Sequence, residues 1–443
     1  MSGAHQHDSS GSWELSIPRG VSLYVGALLG PGLLLLPGIA DQLAGPASIA
    51  AWAGLLGVSG LFAVVFTALG IRLPGGGGVI EYTAAGLGTR AGRTVGWCFV
   101  TAVTLGAPVI CLIGAGYITS LTGGGRTSAA AVAALLLGVD VTLALIGARI
   151  GSTVQMAMIG LLLVVITVAV AGSLPSARTA NWTPFAPHGW GSVGSAVSVL
   201  MLSFIGWEAS APLTRRLANP RRSLPRITAW AYAITALIYL ALATAVIAVL
   251  GPGGDTAAPI AGLMHVALGG AGPTIVAGAA ALLTLTTVNA YLTGAAALAA
   301  HLRGQAKAEQ TSATPNSARA GRFFAYVAAA GFAELIAESV GLLDPARMVT
   351  LPTSLFLVVY IGSTASAARL FSGRLRLAAV LACVASAVIL GFCGLPALFA
   401  LLVAGLALAT AKRPTRLPTA ALQAPAGSRA SGPRPISHAG RRG

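Results

Sequence analysis

Two short stretches hold the residue types in this chain that can do chemistry. The first is GALLGPGLLLLP, Gly26 to Pro37, with Gly30-Pro31-Gly32 at its middle. Proline lacks a backbone N–H and its ring clashes with the preceding helical turn, while glycine opposes unwinding only weakly. The second is Ser203-Phe204-Ile205-Gly206-Trp207-Glu208, where a glycine is followed two residues later by a carboxylic acid. Broken backbone exposed to lipid leaves polar groups unsatisfied, so such breaks face protein or a watery cavity. An acid at membrane depth is costly and faces a cavity or a partner. Together the two stretches offer capture of a small charged molecule at half-helix ends, with a protonatable group beside it. The blander readings are a kinked helix at the first stretch and a structural acid at the second.

The elements that position these stretches are membrane helices. The chain has 443 residues, 56% hydrophobic and 9% charged, with mean hydropathy +0.83. A soluble domain carries about 25% charged residues. The formal charge of +16 is not spread like a nucleic-acid footprint, and no nucleic-acid partner is expected. Cys98, Cys111, Cys383 and Cys393 all lie in apolar runs and read as small buried hydrophobes. No metal-ligand spacing and no nucleophile–base constellation appears, so neither a cofactor nor an enzymatic activity is indicated. No repeated filter-like loop suggests a channel.

A membrane crossing needs about 20 apolar residues. Twelve spans are expected, at 21–43, 47–70, 94–120, 128–147, 152–173, 193–214, 227–250, 274–300, 323–342, 348–369, 376–393 and 395–411. The apolar piece from Ala258 to Leu268 is too short to cross and reads as an external helix. Residues 1–17 and the Pro-, Ser- and Arg-rich tail 412–443 read as disordered. Sixteen of the 27 Lys and Arg residues fall in one set of alternate loops, and only Arg126, Arg178 and Arg347 in the other. The positive-inside rule then puts both termini in the cytoplasm. Trp52, Trp97 and Trp230 fall near span ends, as an aromatic belt requires. The interrupted spans are the first and sixth. Five helices repeated with inverted topology would space them so, with a site at the repeat interface.

Three further stretches sharpen this reading. They are LPGGGGVIEYTAAGLGTRAGRTVGW (Leu73 to Trp97), NPRRSLPR (Asn219 to Arg226) and TTVNAYLTGAAALAA (Thr286 to Ala300). With the opening stretch, they resemble the amino acid–polyamine–organocation (APC) superfamily across residues 18–411. The nearest likeness is to its bacterial branch that exports methionine and branched-chain amino acids. The resemblance implies an all-α polytopic membrane protein with a LeuT-type fold. Repeat one would span about 21–173, repeat two about 193–369, and two extra helices 376–411. It places the substrate carboxylate on backbone N–H groups at Gly30, Pro31, Gly32 and Leu33, although Pro31 offers none. It places the substrate ammonium on carbonyls freed at Ala27, Leu28, Ser203 and Phe204. Gly206 opens the second break, and Trp207 either lines the pocket or packs the helices.

Glu208 is the candidate for proton coupling, because an acid beside the substrate can link occupancy to protonation. Asp140 reads as a structural pair or helix-end residue. Glu334 and Glu338 share a face at i and i+4 and read as solvated or as oligomer contacts. Glu81 is expected to pair with nearby arginines at a cytoplasmic gate. Asn289 bonds across helices or touches substrate. Pro352-Thr353-Ser354 flanks the pocket or makes a kink. The remaining pocket candidates are apolar, which favours neutral hydrophobic amino acids, while Glu208 leaves a basic amino acid or polyamine open. The expected function is a proton-linked exporter of such amino acids in a bacterial inner membrane. The alternatives are an importer or exchanger of the same superfamily, and a transporter-like sensor that binds without turnover.

Overall fold

The computed structural model describes residues 15–30, 32–74, 77–148, 152–214, 216–251, 258–303 and 317–411. The regular secondary structure of these residues is entirely helical. The first apolar run divides into α1 (Ile17–Leu28) and α2 (Gly32–Ala44), and α3 (Ser48–Arg72) follows after a 3-10 turn. A short helix, α4 (Gly78–Leu87), leads into the 34-residue α5 (Thr89–Thr122). Next come α6 (Arg126–Leu145) and α7 (Ser152–Ser173). The sixth apolar run is divided again, into α8 (Gly191–Leu200), two 3-10 turns, and α9 (Ser210–Thr214).

The second half holds α10 (Pro220–Ala245), the short α11 (Pro259–Leu268) and α12 (Ala271–Leu302). It ends with α13 (Ser317–Ser339), α14 (Pro345–Leu370), α15 (Gly373–Phe392) and α16 (Leu395–Thr410). Asn219 and Asp344 cap α10 and α14, their side-chain oxygens accepting N–H bonds from Arg222 and Arg347. Pro220 and Pro345 occupy the first helical turns, where the missing N–H costs nothing. Tight turns close most of the other boundaries.

Among the described residues, nine helical runs are long and apolar enough to cross a membrane. One of them, Gly32–Arg72, holds both α2 and α3. α1 has 12 residues and does not cross alone. α13 carries Arg322, Glu334 and Glu338 and is not one of the nine, and the 16-residue α16 is shorter than a full span. The protein is a polytopic helical membrane protein. Near its middle, α5 packs against α4, α6, α12, α14 and α16.

In lipid, burial of apolar surface between helices gains little from the hydrophobic effect, so close packing and interhelical hydrogen bonds must hold the bundle. Buried phenols supply several of those bonds. Tyr24 donates to the Trp207 carbonyl at 2.9 Å, Tyr117 to the Leu34 carbonyl at 2.5 Å, and Tyr232 to the Leu56 carbonyl at 3.0 Å. The largest fully buried side chains include Trp52, Trp207, Tyr24, Tyr239 and Tyr360, all near the two divided runs.

Candidate functional site

The first break follows from the end of α1. The Leu29 N–H still bonds the Val25 carbonyl, but Leu29 has left helical geometry at φ −84°, ψ 70°. The Gly30 N–H turns to the Leu28 carbonyl at 3.0 Å, and the Leu33 N–H to the Gly30 carbonyl at 3.1 Å. α2 then starts at Gly32. Pro31, expected to remove one donor here, lies outside the described residues.

The second break is built by Ile205 and Gly206. Ile205 is extended at φ −83°, ψ 141°, and Gly206 has φ +135°, a region that side chains rarely adopt. The two breaks touch at this glycine. A Cβ on Gly206 would lie 2.6 Å from the Ala27 carbonyl oxygen. Helix ends leave carbonyls without intrahelical partners, and here two such ends converge. The Tyr239 hydroxyl on α10 lies 2.9 Å from the Leu28 carbonyl oxygen and 2.5 Å from that of Ser203. Its ring is held edge-on by Trp52 and Phe204, at centroid distances of 5.2 and 5.0 Å.

The Glu208 carboxylate folds back over the second break. Its Oε2 accepts the Gly206 N–H at 3.0 Å and the Tyr360 hydroxyl at 2.8 Å. The same hydroxyl oxygen accepts from the Gly206 and Trp207 N–H groups, at 3.1 and 3.2 Å. Glu208 and Tyr360 thus satisfy the free donors at the start of the turn after Gly206. A carboxylate in this place is also favoured by the partial positive charge of a helical N-terminus.

A cavity opens between the breaks and α5, with about 600 Å³ of empty space, part of it solvent. Of the expected site residues, Ala27, Leu28, Gly30, Gly32 and Ser203 line it. Leu33, Phe204, Gly206, Trp207 and Glu208 are not among the lining residues. Trp207 is 0% exposed, and its indole N–H donates to the Ser59 hydroxyl at 2.9 Å. It packs edge-on to Tyr24 and fastens the second break to α3.

The rest of the lining comes from Ala102, Val103, Gly106, Ala107 and Ile110 of α5, Leu202 and Ile205 of the second break, Tyr291 of α12 and Phe356 of α14. Sequence reasoning pointed to α12 and α14 through Asn289 and Pro352-Thr353-Ser354 but missed Tyr291 and Phe356, and it missed α5 altogether. Small residues in a long apolar helix carry no signal of what they face. The mid-helix phenols Tyr239, Tyr291 and Tyr360 carried one, since a buried Tyr hydroxyl seeks a partner. Among the described residues no carboxylate, amine or guanidinium stands in the lining, and Tyr291 brings a phenol.

The other singled-out residues fall away from the cavity. Glu81 accepts the Gly77 N–H at 2.9 Å, so it caps α4. The Asn289 amide reaches the Ala148 carbonyl at 3.3 Å, which joins α12 to the end of α6. Thr353 and Ser354 bond carbonyls of their own helix, and Ser354 also bonds Pro396 at 2.9 Å. Asp140 is buried on α6 with no hydrogen-bond partner among the described residues. Glu334 and Glu338, read as solvated or as oligomer contacts, are not solvated: they are 7% and 3% exposed. α13 packs on α6 and α5, and Glu338 meets Arg126 of α6 at 3.4 Å.

The site is a pair of helix breaks meeting at a mostly apolar cavity. Comparison with known proteins says what family builds it. Residues 16–302 match the family model described as Amino acid permease. The chain belongs to this family, within the APC superfamily. Two relatives cover nearly the whole permease. It is 29% identical over 422 residues to the L-methionine/branched-chain amino acid exporter YjeH of Escherichia coli, spanning 91% of this chain and 97% of that one. It is 27% identical over 390 residues to the uncharacterized amino acid permease YecA of Bacillus subtilis, spanning 85% and 90%. The branched-chain amino acid permease BcaP of Bacillus subtilis matches at 25% over 291 residues, 60% of this chain and 61% of its own. The permease is therefore a multi-pass inner-membrane protein of amino-acid transport, with an amino acid as its small-molecule substrate.

Proposed function

We propose that this permease is a secondary active transporter working by alternating access around its two broken helices, and that it exports neutral hydrophobic amino acids against proton entry. In this reading the chain crosses the membrane twelve times. α1 to α7 form one five-span repeat, α8 to α14 its inverted partner, and α15 and α16 follow. Both termini, including residues 412–443, lie in the cytoplasm. The oligomeric state plays no part in the proposal.

The observation that carries the reading is the meeting of both breaks at one cavity. The carbonyls of Leu28 and Ser203 approach a single hydroxyl within 2.9 and 2.5 Å, and a substrate ammonium has three donors to offer such a place. The N-terminus of α2 at Gly32 and Leu33 faces the substrate carboxylate, since helix N-termini favour anions. The side chain would then lie against Ala102, Val103, Gly106, Ile110 and Phe356, where nothing charged awaits it. That lining and the name of the Escherichia coli relative favour leucine, isoleucine, valine or methionine. Glu208, whose carboxylate accepts the Gly206 N–H of the second break, is the proton carrier.

The test is counterflow in proteoliposomes preloaded with unlabelled amino acid, using labelled leucine, methionine, arginine and glutamate, with and without an imposed pH gradient. Counterflow of leucine or methionine alone, altered by the gradient, is expected. Counterflow of arginine would make Glu208 a substrate ligand and replace the export reading with that of a cationic exchanger. Binding without flux would identify a sensor. Gly32→Leu provides the accompanying check. A Cβ at Gly32 already lies 3.1 Å from Leu36 Cδ1 and 3.4 Å from the Ser203 hydroxyl oxygen, so a leucine side chain crowds into the cavity. Affinity should fall about tenfold or more, in line with the cost of overpacking. Unchanged leucine binding in this variant would move the site away from the first break.

A further inference from the structure

The substrate reading above leaves one buried group at the breaks without a task. We infer that Tyr239 is a positioning residue that ties the two breaks into a single binding surface. The inference rests on that reading for its consequence in transport, and on geometry alone for the tie itself.

Leu28 is the last residue of α1, and Ser203 lies in the 3-10 turn that extends α8. The two residues are 175 positions apart in the chain, and no main-chain hydrogen bond between them is found among the described residues. Both present end-of-helix carbonyls, of which that of Leu28 already accepts the Gly30 N–H at 3.0 Å. The Tyr239 hydroxyl reaches both, at 2.9 and 2.5 Å, from a third helix. One hydroxyl proton is shared between the two carbonyls, and the Leu28 carbonyl also accepts the Gly30 N–H, so acceptor capacity is left chiefly at Ser203. The ring is 0% exposed and fixed by Trp52 and Phe204. Tyr239 does not itself line the cavity, whereas Leu28 and Ser203 do. It therefore acts through the carbonyls it holds. If the tie is cut, each break keeps its own fold and Tyr24 still joins α1 to Trp207, but the spacing of the Leu28 and Ser203 carbonyls is no longer fixed.

The test is Tyr239→Phe, which keeps the ring and removes the hydroxyl. The control is Tyr232→Phe, two turns earlier on α10, whose hydroxyl bonds the Leu56 carbonyl of α3 instead. Hydrogen exchange of peptides covering residues 22–34 and 198–210 reads the tie without reference to any substrate. In Tyr239→Phe both peptides should exchange faster together, by about fivefold, as the loss of one buried hydrogen bond predicts. In Tyr232→Phe neither should change. Faster exchange at only one break, or at neither, overturns the tie.

Counterflow of labelled leucine reads the consequence. The positioning role predicts that the half-saturation concentration rises about fivefold while the maximal rate per folded transporter stays within about twofold. A lowered maximal rate with unchanged half-saturation would overturn positioning and leave a packing role. If the wild-type protein carries no amino acid of the panel, the transport proposal falls, and the exchange experiment still decides the tie.

Discussion

Gly206→Ala should abolish transport. The substitution adds one methyl group, but it adds it where the two breaks meet. At φ +135° a side chain costs about 1–3 kcal/mol in backbone strain alone. The new Cβ would stand 2.6 Å from the Ala27 carbonyl oxygen and 3.0 Å from its carbon, distances that require a shift of main chain. Relief by tilting α1 away would separate the Leu28 and Ser203 carbonyls and widen the cavity wall. Leucine counterflow per folded transporter should drop about a hundredfold, with a lower melting temperature in detergent and an unchanged gel-filtration profile. Wild-type flux in Gly206→Ala would mean that the contact between the breaks can be lost without consequence, and the site would have to lie elsewhere.

Glu208→Gln should separate exchange from coupling. A glutamine oxygen can accept the same two bonds, from the Gly206 N–H and the Tyr360 hydroxyl, that Glu208 Oε2 accepts now. The turn after the second break therefore keeps its cap. What the amide cannot do is take up a proton on one side of the membrane and release it on the other. Counterflow between equal internal and external amino-acid pools should persist within about threefold. Acceleration by an inward proton gradient, which the proposed mechanism requires, should vanish, and the pH dependence of exchange should flatten. A variant that still concentrates leucine in response to the gradient would remove Glu208 from the proton path. A variant that neither exchanges nor folds would give the acid a purely structural role, since its hydrogen bonds would then matter more than its proton.

The breaks were legible in the sequence because their cause is local. Gly30-Pro31-Gly32 and Ile205-Gly206 weaken helices by their own backbone chemistry, whatever surrounds them. The short helix at Pro259–Leu268, too short to cross a membrane, was legible from length alone. The cavity wall was not, because its makers are ordinary. Ala102, Gly106 and Ile110 differ in no local respect from the small and apolar residues that α5 turns towards its other neighbours. Tyr239 shows the limit most plainly, since the partner that gives it meaning lies 211 residues away at Leu28. Trp207 illustrates a further difficulty. Its type and position suited both a gate and a packing anchor, and only the bond to Ser59 distinguishes the two. The solvated reading of Glu334 failed for the opposite reason, because an i, i+4 acidic pair looks solvated until its helix is seen packed on α5 and α6.

The absence of a charged side chain from the cavity lining has an energetic consequence for the cell. A zwitterion bound among Ala102, Ile110 and Phe356 brings no net charge across the bilayer, and the wall adds none. If one proton enters through Glu208 for each amino acid expelled, every cycle moves one elementary charge inward. Such a cycle is electrogenic, and the membrane voltage drives it alongside the pH difference. A potential of 100 mV supplies about 2.3 kcal/mol per charge, while a tenfold concentration ratio costs about 1.4 kcal/mol. Voltage alone would then sustain an outward gradient of about fiftyfold, and the permease would keep working in surroundings as alkaline as the cytoplasm.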